Sequence, residues 1–256
     1  MSTHRSQLVL SYACAAAMML AGCGGAADAP PAVPANAIPA GVAVGTSVIE
    51  GRVLFTGTAP PREEIRTGSD AACRHKQESP PRREDLVTGP EGGLQYAFVH
   101  AASGLGERVF APPTEPVTLD QKGCVYQPHV VGVQVGQPLR VVNSDPTLHN
   151  VHTMSKENRP FNFGMPVEGQ QVTKHFTKPE VMVKAKCDVH PWMGAWIGVS
   201  PHPFFQVTGA DGAFALRGLP AGTYEIEVWH ESLGTRRETV TLQDGETRTL
   251  TFTYPG

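Results

Sequence analysis

Cys187-Asp188-Val189-His190-Pro191-Trp192-Met193 sets a thiol, an imidazole and a thioether at even three-residue steps. Upstream, Asn143-Ser144-Asp145-Pro146-Thr147-Leu148-His149-Asn150-Val151-His152 offers a second imidazole. Two His, one Cys and a weak axial Met are the donors that suit a mononuclear copper ion with trigonal geometry, in which Cu(I) and Cu(II) interchange with little movement. Zinc and iron sites do not regularly use this combination. The candidate ligands are therefore His149, Cys187, His190 and Met193.

Ligands of this kind must be held nearly still. A β-sandwich does so by taking one His from a strand end and the others from a loop between two strands. The pattern fits that arrangement. Strand-like runs are expected at 117–119, 125–135, 139–143, 149–154, 161–165, 172–176, 181–186 and 196–199, with turns at Gly136-Gln137 and Asp145-Pro146. Cys187 ends the 181–186 run, and His190 and Met193 occupy the loop before 196–199. Asn150, next to the first His, is placed to tie the two ligand regions by hydrogen bonds. Short strands broken this often, with no long 3.6-residue period, imply an all-β sandwich.

Residues 117–200 resemble the cupredoxins. Pro128 through Asn143 looks like their entry strands, and His149-Asn150-Val151-His152 with the Cys187–Met193 spacing is most similar to the amicyanin branch, which has a short ligand loop. The resemblance implies a Greek-key β-sandwich with His149, Cys187, His190 and Met193 on one copper. It implies a partly exposed loop histidine as the electron exit, with Pro191 and Trp192 as an apolar docking patch. It also implies that His190 dissociates and protonates in the reduced protein. The implied role is single-electron transfer between redox proteins, with no enzymatic reaction. A copper-handling protein and a cell-surface binding module on a cupredoxin scaffold are the alternatives. A binuclear copper site would need a second Cys in the ligand loop, where Asp188 and Val189 stand. A nitrite reductase arrangement would need two cupredoxin patterns, and only one is visible.

After Pro201 the style changes. Thr208-Gly209-Ala210-Asp211-Gly212-Ala213-Phe214 and Leu219-Pro220-Ala221-Gly222-Thr223-Tyr224 resemble the carboxypeptidase regulatory-like, prealbumin-type sandwich. Strands are expected at 204–208, 213–216, 224–229, 239–242 and 247–254. Members often open with strands like Gly51-Arg52-Val53 and Ala97-Phe98-Val99, which here precede the copper block, within expected strands 47–55 and 94–100. The division that follows is an N-terminal β segment, 47–116, packing with a second small β-sandwich, 204–256, around a copper domain at 117–203. Simple tandem order is the alternative. Residues 60–92 are expected to form a long loop pinned by Cys73.

Residues 1–22 resemble a bacterial lipoprotein signal: His4 and Arg5, an apolar Leu8–Leu20 stretch, then Leu20-Ala21-Gly22-Cys23. The resemblance implies export, lipidation of Cys23 and membrane anchoring facing the periplasm or cell surface, with Ala/Pro-rich 23–46 as a flexible tether. Removing Arg5 from 21 Lys+Arg leaves 20 against 24 Asp+Glu, a formal charge of −4. No basic run survives to bind nucleic acid. Cys14 leaves with the signal and Cys23 takes lipid, so three cysteines remain in an oxidising compartment. Cys187 sits in the ligand motif, and Cys73 pairs with Cys124. The other histidines are read as structural: His152 as a strand or surface residue, His129 as hydrogen-bonded, and His100, His175, His202 and His230 without joint metal spacing. Met154, Met165, Trp196 and Trp229 are read as packing residues.

Overall fold

The two-residue period of a strand buries every second side chain, as with Leu139, Val141 and Asn143 of one strand. The computed structural model describes residues 29–68, 70–75 and 79–256. The signal segment and Cys23 lie outside the described residues. In chain order the elements are β1 (Ser47–Phe55), α1 (Ala71–His75), β2 (Phe98–Ser103), β3 (Val117–Gln121), β4 (Tyr126–Gln127), β5 (Val130–Gln134), β6 (Leu139–Asn143), β7 (His149–Thr153), β8 (Asn162–Met165), β9 (Gln171–Lys174), β10 (Glu180–Lys186), β11 (Gly194–Ser200), β12 (Phe205–Val207), β13 (Ala213–Leu219), β14 (Gly222–His230), β15 (Gly234–Leu242) and β16 (Thr247–Tyr254).

The strands form four sheets around two cores. One core lies between the sheets β5-β11-β10-β7-β8 and β4-β3-β6-β9. Its buried residues include Leu119, Tyr126, Val141, Val151, Phe176 and Ile197. The other lies between β13-β1-β16 and β12-β2-β14-β15, around Ile49, Val53, Leu94, Tyr224, Ile226 and Phe252. β1 pairs with β13 and, in parallel, with β16. β2 pairs with β12 and β14. Two strands that precede residue 117 thus sit in the middle of sheets whose other strands follow residue 203. β15 closes one edge with exposed Arg236, Arg237 and Glu238, charges that discourage edge-to-edge association.

Aromatic rings join the two sandwiches. Phe98 of β2 and Phe205 of β12 stack with centroids 5.6 Å apart. They lie against Gly132 and Gly198, where an added Cβ would come within 2.5 Å of ring carbons. Glycine is required there by this close approach. Glu231, just past β14, accepts a hydrogen bond from Trp196 Nε1 at 2.8 Å and pairs with His129 Nε2. Trp196 and Trp229 pack with centroids 5.0 Å apart.

The structure departs from the pattern reading in several places. The run 125–135 is two strands in different sheets, because Pro128 has no N–H to continue the ladder. The strand expected at 94–100 starts at Phe98, because Tyr96 takes a positive φ of 65° while Leu94 bridges Thr88. The stretch read as a tether is anchored before it ends. Ile38 bridges Phe110, its N–H donates to Val109 O at 2.8 Å, and Ile38 and Val44 pack on the core. Met154 is 49% exposed and packs on no core.

Candidate metal centre

β7 opens at His149, and β10 ends one residue before Cys187. Antiparallel pairing sets Lys186 against His152, bringing the two strand ends side by side. Asn150 locks them. Its Oδ1 accepts the Asp188 N–H at 2.6 Å, and its Nδ2 donates to Asp188 Oδ2 at 3.2 Å and to Asn162 Oδ1 at 2.8 Å. Its carbonyl accepts the buried Tyr126 hydroxyl at 2.6 Å. The ligand loop folds back on itself: Met193 N–H donates to His190 O at 2.9 Å, and Cys187 N–H to Met193 O at 3.3 Å.

This geometry brings donor atoms of His149, Cys187 and His190 within 4.8 Å of one another. His149 Nδ1 and His190 Nδ1 face each other at 2.9 Å, and Cys187 Sγ lies 3.9 Å from His190 Nδ1. The sulfur also accepts the His190 backbone N–H at 3.3 Å. All three side chains are buried, and Met193 is buried in the same core as Cys187. The fit to copper is chemical: a thiolate and a thioether supply soft donors, and two imidazoles turn the same nitrogen inward.

The outward nitrogens are held by carboxylates that the pattern reading did not single out. His149 Nε2 meets Asp145 Oδ2 at 3.0 Å, and His190 Nε2 meets Asp70 Oδ2 at 3.1 Å. Asp145 also accepts the N–H groups of Gly123 and Cys124 at 2.9 and 2.8 Å. Asp70 accepts the Thr147 hydroxyl at 3.0 Å. A carboxylate behind a ligating imidazole fixes its orientation and raises its basicity.

The electrostatics follow from these contacts. Burial disfavours charge on His149, but the carboxylate of Asp145 and the sulfur of Cys187 overcome it and raise its pKa to about 9. Burial also raises Asp145, yet its hydrogen bonds from His149, Cys124 and Gly123 bring it below the usual carboxylate value. Burial likewise raises the Cys187 thiol, but hydrogen bonds from His149 and the backbone of Asn150, His190 and Val189 lower it, which favours the thiolate that binds metal.

The described residues contain one disulfide, Cys73–Cys124, and one cysteine outside it, Cys187. The bridge lies against the centre: Cys73 Sγ is 3.8 Å from His190 Nε2. This corrects the expectation of an exposed loop histidine. His190 is 2% exposed, because Asp70 and the disulfide-bound α1 fold over its outer edge. Of the expected docking pair, Pro191 is exposed and Trp192 half-buried. The Trp192 ring lies 5.0 Å from that of His190, and its Nε1 donates to Cys124 O at 2.9 Å. Pro191 and Trp192 line a groove of about 1120 Å³, whose other walls include Arg62, Arg82, Tyr96, Lys122 and Trp196.

Residues 198–255 match the carboxypeptidase regulatory-like domain family. No curated protein sequence matches the chain. Among solved structures the chain is similar to a copper-containing nitrite reductase from Thermus scotoductus SA-01, with 25% identity over 39% of this chain and a TM-score of 0.32. The match spans 25% of that enzyme's length. It is also similar to a purple cupredoxin from Nitrosopumilus maritimus (20% identity, 33% of this chain and 99% of that one, TM-score 0.28). An amicyanin variant in its Cu(I) form gives 20% identity over 38% of this chain and 97% of that one, with a TM-score of 0.30.

Other described histidines have partners of their own. His152 Nδ1 pairs with Asp188 Oδ2 at 3.0 Å. His100 Nε2 pairs with Glu227 Oε1 at 3.2 Å, and His202 Nε2 donates to Ala101 O at 2.9 Å. Burial lowers the His230 pKa to about 4, although the charge of Glu231 raises it.

Proposed function

We propose that this chain is an exported, membrane-tethered protein that holds one copper through His149, Cys187, His190 and Met193 and passes single electrons between redox proteins. The observation that carries the reading is the buried meeting of His149, Cys187 and His190, with both imidazoles turning Nδ1 inward while carboxylates hold Nε2. A bound copper would supply one-electron chemistry by alternating between Cu(I) and Cu(II).

The chain's own residues do the rest. Asp145 and Asp70 orient the imidazoles, and the Asn150–Asp188 clamp keeps the two ligand regions in register. Burial of the donors excludes water and competing ligands. Because the outer edge of His190 is covered, the contact with a partner falls to Trp192, whose ring is packed near His190 and reaches the groove beside exposed Pro191. Lipid on Cys23 would keep the protein at the membrane, and no substrate chemistry is required.

Voltammetry of the copper-loaded chain tests the reading. It predicts one reversible one-electron wave that disappears in Cys187→Ser. A chain that binds copper but exchanges no electrons would overturn electron transfer in favour of copper handling. Replacing Cys23 by Ser should move the protein from the membrane fraction to the soluble one, and an unchanged membrane fraction would contradict the anchor.

A further inference from the structure

The two imidazoles have a second face. Their Nε2 atoms turn toward a carboxylate and toward the disulfide. Asp70, Cys73 and His190 form one group of donor atoms within 4.8 Å of one another, and Cys124, Asp145 and His149 form another. Cys73 and Cys124 are both buried, and their bond joins the two groups. The disulfide belongs to the same buried core as Cys187 and Met193, yet a carboxylate and an imidazole lie beside each sulfur. While the bond is intact, neither sulfur is a thiolate and neither can hold a metal ion.

We infer that the Cys73–Cys124 disulfide masks a second soft-metal site, separate from Cys187, that opens when the bond is reduced. The opening step is a two-electron exchange with an external dithiol. One reductant thiolate attacks a Cys sulfur and forms a mixed disulfide. The second reductant thiol then displaces that sulfur, leaving Cys73 and Cys124 as thiols and the dithiol as a cyclic disulfide. Two thiolates on one ion are chemistry that selects Cu(I). Their Cα atoms, 5.6 Å apart, are close enough for side-chain rotation to bring both sulfurs to one ion. Access lies on the Asp70 side, where that side chain keeps 25% of its surface exposed. The inference shares His149 and His190 with the proposed copper centre but does not require that centre to be filled.

The test uses the metal-free, full-length chain in detergent, either oxidised or reduced with dithiothreitol and desalted without air. Each form is titrated with Cu(I) supplied as its bicinchoninate complex. The oxidised chain should take one ion and the reduced chain two. Cys187→Ser should take none oxidised and one reduced. The Cys73→Ser/Cys124→Ser chain should take one under both treatments. Equal uptake by oxidised and reduced wild type, or a gain on reduction that survives the double substitution, would overturn the second site. An oxidised chain that takes none, with one ion gained on reduction, would support the second site while overturning the first. If reduction collapses the near-ultraviolet circular dichroism, Cu(I) should restore it in the wild type and not in the double variant. Failure to restore it would overturn the proposal.

Discussion

Acidification should destabilise the metal-free chain in a window set by His202. Its Nε2–H donates to Ala101 O at 2.9 Å, and its Nδ1 accepts the Phe204 N–H at 3.2 Å. The neutral ring is fully paired, and a second proton would set one N–H against another. Burial lowers the pKa, the Ala101 carbonyl raises it, and nearby His100 lowers it again, leaving it at about 4 against the ordinary 6.5. The unfolded chain therefore binds a proton near pH 6.5 that the folded chain refuses until about pH 4. The stability this group contributes is intact above pH 6.5 and is lost as the pH falls toward 4. A gap of this size is worth about 3 kcal/mol at 1.36 kcal/mol per pKa unit. His230, also lowered to about 4, adds a loss of the same sign. His149 acts oppositely: its pKa is raised to about 9, so its contribution is full below 6.5 and is lost as the pH rises toward 9. Stability of the metal-free chain should peak near pH 6.5. Urea unfolding at pH 7, 6 and 5 gives the acid limb, and His202→Gln should make it shallower by one proton. Nuclear magnetic resonance titration of the His202 ring reads the cause directly. A midpoint near 6.5 would show that burial does not hold this ring neutral.

Three further outcomes are expected. Asp145→Asn removes the carboxylate behind His149 and should weaken copper binding by about 10- to 100-fold in a chelator competition; unchanged affinity would mean that Asp145 does not orient the ligand. Gly198→Val forces a Cβ into the Phe98 ring and should destabilise the chain by about 1–3 kcal/mol in urea unfolding; wild-type stability would show that the junction yields easily. The fragment 204–256 lacks β1 and β2, which lie in the middle of its sheets, and should give the circular dichroism of an unfolded chain; a cooperatively folded fragment would contradict the split arrangement.

Legibility in the sequence followed contact distance. Cys187, His190 and Met193 lie in one loop, and the even spacing of their side chains is visible without tertiary structure. The strands between residues 117 and 200 are short apolar runs that can be read from the sequence, as at Leu139–Asn143. Asp70 and Cys73 meet His190 from more than a hundred residues away, through a charged, turn-rich loop with no period to place it. That loop is also why the covered edge of His190 could not be foreseen. Asp145 stood four residues before His149, but one acid near one histidine has the same signature on any surface. Its two backbone acceptances at Gly123 and Cys124 depend on a turn with positive φ at both residues, 67° and 56°. Ile38 is one of a few scattered apolar residues in an Ala/Pro-rich stretch, and its bridge to Phe110 leaves no local trace.

If His149, Cys187, His190 and Met193 make one copper centre, the visible spectrum of the protein with added Cu(II) should show an intense thiolate-to-copper charge-transfer band at one copper per chain, abolished by Cys187→Ser. A colourless protein, or a coloured one that keeps its band in Cys187→Ser, would contradict this ligand set.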